Sequence, residues 1–215
     1  MRKTMNQMLQ EPQVPSAQVP SAQVQSAQVQ SSQVQSSQVP HADAPEAPDL
    51  PPARVHPRFS KPQRVAFVQS AWHREVVEEC RIAFLEEIEG RHIERAQIDL
   101  FEVPGSFEIP LHAQLLAKTR RYTAIVAAGL VVDGGIYRHE FVADTVIKAL
   151  MDVQLRTEVP VFSAVLTPQQ FHESAAHFEF FRKHFATKGI EVAEACANTL
   201  LSLERLRGQV AAGIV

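Results

Sequence analysis

The 215-residue chain has only two cysteines, Cys80 and Cys196. Both fall inside helical patterns and form no paired framework, so a disulfide scaffold is excluded and a reducing, cytoplasmic setting is expected. No run of about 18 apolar residues occurs, so no membrane partner is expected. Arg2 and Lys3 have no apolar stretch behind them, so no secretory leader is expected either. Neither sign of charge dominates. With 21 basic and 24 acidic residues the formal net charge is −3, which leaves no electrostatic footprint for nucleic acid. The dinucleotide fingerprint GxGxxG is missing. The paired histidines of a zinc-protease helix are missing too, because His172 and His177 in HESAAHF stand five apart and do not share a helix face. No metal site is expected, and these histidines read as a polar, exposed helix face.

Residues 15–39 consist of five pentapeptides, PSAQV, PSAQV, QSAQV, QSSQV and QSSQV. Prolines then follow at 40, 45, 48, 51, 52 and 57. One apolar residue in five buries too little surface to offset chain entropy, and a period of five fits neither a helix face nor a strand face. Residues 1–58 are therefore expected to form a disordered tail, and 59–215 a folded domain. Within 59–215 four runs read as buried strands: 64–69 (RVAFVQ), 98–103 (IDLFEV), 124–132 (AIVAAGLVV) and 159–166 (VPVFSAVL). The first, third and fourth are nearly continuous in apolar character, as strands covered on both faces are. Helical spacing separates them. Val76, Val77, Cys80, Phe84 and Ile88 share a face, with Gly90 placed to end the helix. The segment 107–118 is a shorter helix, and Val142, Val146, Ile147 and Leu150 mark another over 139–154. Ala193, Cys196, Ala197 and Leu200 mark a C-terminal one. This alternation predicts right-handed βαβ crossovers and an α/β three-layer sandwich like that of flavodoxin. Its four-stranded parallel sheet would have the order 2-1-3-4, with helices on both faces.

Ligands of such sheets bind beyond the carboxyl ends of the strands. There the chain collects its least ordinary residues: Ser70-Ala71-Trp72-His73, then Val103 to Pro110 (VPGSFEIP), then Asp133 to Glu140 (DGGIYRHE), then Thr167 to His172 (TPQQFH). Each has a plain reading and a functional one. Trp72 can plug the core or stack on a flat heterocycle. Pro104-Gly105 can be a turn with Glu108 at a helix start, or a loop that presents Ser106, Phe107 and Glu108 to a ligand. Gly134-Gly135 can be a tight turn, or a strand-to-helix entry whose backbone N–H groups hold a phosphate.

At these loops the sequence resembles the lumazine synthase family. VPGSFEIP at 103–110, GLVVDGG at 129–135 and Lys188-Gly189 before an amphipathic helix carry the likeness, which spans roughly 60–207. RHEF at 138–141 resembles a divergent subgroup of that family, of the second type. The resemblance implies a transferase of riboflavin biosynthesis. It would condense 5-amino-6-(D-ribitylamino)uracil with 3,4-dihydroxy-2-butanone 4-phosphate to 6,7-dimethyl-8-ribityllumazine, with no cofactor. It implies that Trp72, Ser106, Phe107, Glu108, Leu130, Val131, Val132 and Ser163 meet the pyrimidine or its ribityl chain. Gly135, Ile136, His177 and Lys188 would meet the phosphate, His177 from a neighbouring subunit. It also implies a pentamer, alone or paired as a decamer.

Three positions depart from the family's pattern. Arg138 stands where the family has a proton-shuttling histidine, with His139 one later. Arginine cannot act as a base near neutral pH but can stabilise a leaving phosphate, whereas histidine can move a proton. The catalytic pair is thus Arg138 and His139, with the roles open between them. Ser163 replaces a second stacking aromatic, and His177 replaces a phosphate-binding arginine. These departures leave room for a rival reading, in which the chain is a catalytically weak lumazine- or flavin-binding protein or a shell subunit of the same fold.

Overall fold

The computed structural model describes residues 56–135, 138–172 and 174–215. The pentapeptide repeats and nearly all of the expected tail lie outside the described residues, as does Ile136. Four strands form one parallel sheet: β1 (Val65–Ser70), β2 (Ile98–Val103), β3 (Ala124–Leu130) and β4 (Val161–Leu166), in the order β2-β1-β3-β4. Four α-helices connect or follow them: α1 (Arg74–Gly90), α2 (Ile109–Lys118), α3 (His139–Thr157) and α4 (Ala175–Ala211). The expected α/β sandwich and its strand order are present.

The two faces of the sheet are covered separately. Val65 and Phe67 of β1 and Val126, Ala128 and Leu130 of β3 pack with α1 and α4. Ala66 and Val68 of β1 and Ile125 and Ala127 of β3 pack with α2 and α3. Period-two alternation sends neighbouring side chains to opposite faces, so a strand covered twice must be apolar throughout. Every residue of β1 and β3 is accordingly buried. β4 reads in sequence much like these two, yet Ser163 on it is exposed. Ala164 still packs into the core under α1 and α4 and Val165 into the core under α2 and α3, so both faces are covered and the exposure of Ser163 comes with the edge position.

Gly90 ends α1 as the sequence reading has it, and the left-handed residue that turns the chain away is His92, at φ 66°. Two other helix boundaries differ, each for a local reason. The segment 107–118 begins with a single 3₁₀ turn, Ser106–Glu108, and the α-helix starts only at Ile109. Pro110 sits in its first turn, where a missing N–H costs nothing. The C-terminal helix does not follow Lys188-Gly189 but runs through it, as one element of 37 residues. His172 precedes this helix, while His177 and His184 lie on it.

Gly189 sits where α4 crosses α1. A Cβ there would lie 2.4 Å from the carbonyl oxygen of Cys80 and 2.9 Å from the backbone nitrogen of Phe84. The missing side chain lets the two backbones approach, which seals Cys80 and Cys196 in the core. Burial pushes both thiols up to about 12. At the amino end of the sheet a polar tie joins three strand entries. Asp99 accepts from Arg64 Nε at 2.9 Å and from the Tyr122 hydroxyl at 2.8 Å. Burial pushes the Asp99 carboxyl up, but the hydrogen bonds from Tyr122 and Arg64 outweigh this and hold it below its ordinary value.

The α1–α4 crossing makes Gly189→Ala a stability variant. Overpacking costs typically about 1–3 kcal/mol, and the backbone atoms of Cys80 and Phe84 cannot move aside cheaply. Urea unfolding should show a loss in that range. A midpoint unchanged from the parent protein would mean that the helices can separate freely.

Candidate active site

The carboxyl ends of β1, β2 and β3 open on a cavity of about 340 Å³. Trp72, Pro104, Gly105, Ser106, Phe107, Glu108, Leu130, Val131, Val132 and Val142 line it. The loop after β1 is tied to the loop after β2 through the backbone: Ala71 N–H donates to Val103 O at 2.7 Å and Trp72 N–H to Pro104 O at 3.2 Å. The two loops thus reach the cavity as a pair. Trp72 is 45% exposed and Phe107 61% exposed. Neither ring is a core plug, and both are large apolar surfaces left for something else to cover.

Beneath them the floor is tied by hydrogen bonds. Ser106 is buried, and its hydroxyl donates to Leu130 O at 3.4 Å. Glu108 folds back, its carboxylate accepting from Gly105 N–H at 2.9 Å. Leu130, Val131 and Val132 bury their side chains in the two cores, so what they can present to the cavity is backbone. Part of that backbone is already engaged, since Leu130 O accepts from Ser106 and Val131 N–H donates to Leu166 O at 2.9 Å. Gly129 makes this floor possible: a Cβ there would lie 2.4 Å from the Ser106 hydroxyl oxygen.

Seven residues expected to meet the pyrimidine therefore converge: Trp72, Ser106, Phe107, Glu108, Leu130, Val131 and Val132. Ser163 does not join them. It is exposed on β4, and its hydroxyl accepts from Val165 N–H at 3.3 Å. Gly135 is exposed at φ 71°, and its N–H donates to the Asp133 carboxylate at 2.9 Å. His177 Nδ1 accepts from His172 N–H at 3.2 Å. Lys188 pairs with Glu191 on its own helix. None of these four lines the cavity.

Arg138 and His139 open α3. Arg138 is the residue before its first turn, exposed, with its guanidinium 4.5 Å from the centre of the Phe141 ring. His139 is more enclosed, its side chain 12% exposed and its Nδ1 3.7 Å from the Glu140 carboxylate. Val142, one turn further on, does reach the cavity. His139, three residues before Val142, shares its side of the helix; Arg138 precedes the helix in extended backbone, and neither of the two lines the cavity. Pro104, Gly105 and Val142 were not singled out as site residues in the sequence. Val142 belongs to the apolar stripe of α3 and packs against the core, so its sequence signal was that of a core residue.

Fold and cavity together define a flavodoxin-like α/β protein with a small-molecule site at its strand ends. A family model for 6,7-dimethyl-8-ribityllumazine synthase matches residues 62–204. The chain is 83% identical over 164 residues to 6,7-dimethyl-8-ribityllumazine synthase 2 of Bradyrhizobium diazoefficiens, covering 76% of this chain and 98% of that protein. It is 72% identical over 162 residues to 6,7-dimethyl-8-ribityllumazine synthase 2 of Rhodopseudomonas palustris, covering 75% and 88%. A third relative, from Pseudomonas syringae pv. tomato, carries the same name and is 54% identical over 155 residues, covering 72% and 89%. The chain belongs to the 6,7-dimethyl-8-ribityllumazine synthase family.

The contact at Gly129 yields a paired test. Gly129→Ala should destabilise by about 1–3 kcal/mol, as overpacking does. Adding Ser106→Ala removes the hydroxyl that clashes and should recover most of the loss. A double variant as unstable as the single one would place the strain elsewhere.

Proposed function

We propose that the cavity holds 5-amino-6-(D-ribitylamino)uracil and that the chain condenses it with 3,4-dihydroxy-2-butanone 4-phosphate to give 6,7-dimethyl-8-ribityllumazine. Membership of the family supports a transferase of riboflavin biosynthesis. The carrying observation is the exposed Trp72 ring above a cavity whose rim is Phe107 and whose floor is backbone. A flat pyrimidine covers apolar ring surface, while its edge exchanges hydrogen bonds with strand-end backbone and with Glu108. The pyrimidine amine attacks the ketone of the second substrate, and water leaves as an imine forms. Phosphate is then expelled, and a second dehydration closes the ring. Both substrates bring their own reactivity, so the protein's main contribution is holding them together, where effective molarities reach about 10⁵ M or more.

At the start of α3, Arg138 is the cation for the departing phosphate and His139 the proton carrier. Arginine stays charged at any working pH, and histidine exchanges a proton near neutrality. The phosphate then sits by the α3 entry, with Gly135 and Ile136. The Asp133 contact of the Gly135 N–H gives way to it. His177 and Lys188 are assigned to a neighbouring subunit's phosphate, and Ser163 to the ring's far side. The reaction needs no metal or organic cofactor.

We further infer a pentamer, single or paired. Phe107 in the 3₁₀ turn and Leu111 and Leu115 on α2 stand at four-residue spacing, each more than half exposed. Ile147, Met151 and Leu155 stand at the same spacing along α3. Two packed helices with unpartnered apolar stripes fit burial between copies of the chain. Among the described residues no helix is long and apolar enough to cross a membrane, and the proposed setting is the cytoplasm, where both substrates are small soluble molecules.

Three measurements check these assignments. Mixing the protein with both substrates should produce the green fluorescence of the lumazine. Trp72→Ala should raise the KM for the pyrimidine roughly ten-fold or more, since a stacked base is worth about 1–3 kcal/mol. A pyrimidine KM unmoved by that change would remove Trp72 from the site, and bound flavin without turnover would favour the binding-protein reading. Leu111→Glu should shift the native mass to a monomer, while an unchanged mass would rule out α2 as an interface.

A further inference from the structure

Trp72 is the only tryptophan in the chain, and its ring is poorly enclosed for a residue meant to hold a ligand. Its backbone is fixed: the N–H donates to Pro104 O, and the carbonyl accepts from the Ser70 hydroxyl at 3.4 Å. Among the described residues its side chain has one close aromatic neighbour, the ring of His73, with centroids 4.2 Å apart at 56°.

His73 is an unusual neighbour. It adopts the left-handed conformation, φ 52° and ψ 41°, immediately before α1. Non-glycine residues take that conformation at a cost, and such a residue persists where its surroundings demand it. Part of the demand is local, because the His73 carbonyl accepts from Val76 N–H at 3.0 Å and from Val77 N–H at 3.1 Å. The rest concerns the ring. The left-handed turn swings the imidazole inward, leaving it 11% exposed beside a half-exposed tryptophan. It lands 5.3 Å from the ring of Phe171 and 5.9 Å from that of Phe178, centre to centre. Phe171 is itself buried against Phe178 and Phe181. A ring in the cavity wall is thus backed by a second ring, and that one by a packed aromatic group at the start of α4.

We propose that His73 is a positioning residue for pyrimidine binding: its imidazole buttresses the indole of Trp72 and presets the ring plane on which the substrate stacks. The proposal rests on the pyrimidine reading of the cavity and deepens it. Without the imidazole the indole can rotate about χ1 and χ2, and binding then includes the cost of ordering it. That cost falls on pyrimidine affinity and not on the chemical step, because His73 does not line the cavity and touches neither reacting group.

His73→Asn tests this, since asparagine tolerates the left-handed backbone and carries no ring. The KM for the pyrimidine should rise about three- to ten-fold, the range one aromatic contact carries. The KM for the phosphate substrate and kcat should stay within about two-fold. The fluorescence anisotropy of Trp72 should fall in the free protein and recover when the lumazine product is added. His73→Phe restores a ring and should bring both the pyrimidine KM and the anisotropy back towards the parent values. If His73→Asn does not fold, Phe171→Leu removes the backing from the other side and is read in the same way. A folded His73→Asn, or Phe171→Leu in its place, with unchanged pyrimidine KM and anisotropy overturns the proposal. So does a variant that loses kcat instead. Trp72→Ala separates the two ideas. No effect there sinks the pyrimidine reading itself, whereas an effect there with none at His73 sinks this inference alone.

Discussion

The structure depends on one constraint: β1 and β3 are buried along their whole length. Buried backbone must be hydrogen-bonded, and the parallel ladders on either side of each inner strand do that. Side chains facing both ways must be covered, so helices lie on both faces of the sheet. Parallel strands can then be joined only by crossovers. Every crossover starts at the same edge, and the loops that leave β1, β2 and β3 are brought together there without any further instruction. The cavity is a by-product of this topology, and chemistry is decided by which residues occupy the loops.

The fold was legible because its signals are periodic. Continuous apolar runs marked β1 and β3, and 3.6-residue spacing marked the helices between. What was less legible depended on tertiary contact. β4 looks as apolar as the inner strands, and only its place at the margin explains the exposed Ser163. Lys188-Gly189 reads as a break because glycine usually is one. Here the glycine is spent on the close approach to Cys80, and the helix continues through it.

For the site, legibility split along the same line. The residues on loops after β1 to β3 were found together because strand ends must meet. The residues assigned to phosphate were not brought to the cavity with them. His177 and Lys188 lie on α4, away from this cavity, and Gly135 turns its N–H to Asp133. The inward turn of His73 was invisible in the sequence: a histidine after a tryptophan carries no sign of a left-handed backbone.

Gly129 has a bearing on how this cavity could diverge. Its floor has no slack, since even one methyl group would meet the Ser106 hydroxyl. Enlarging or reshaping the pocket from below would therefore disturb the sheet itself. The rim is different: Trp72 and Phe107 are 45% and 61% exposed, and exchanging them disturbs the fold's packing far less. Drift in ligand preference among descendants of such a protein would accordingly accumulate in the upper ring of side chains, while the glycine and serine below stay locked as a pair.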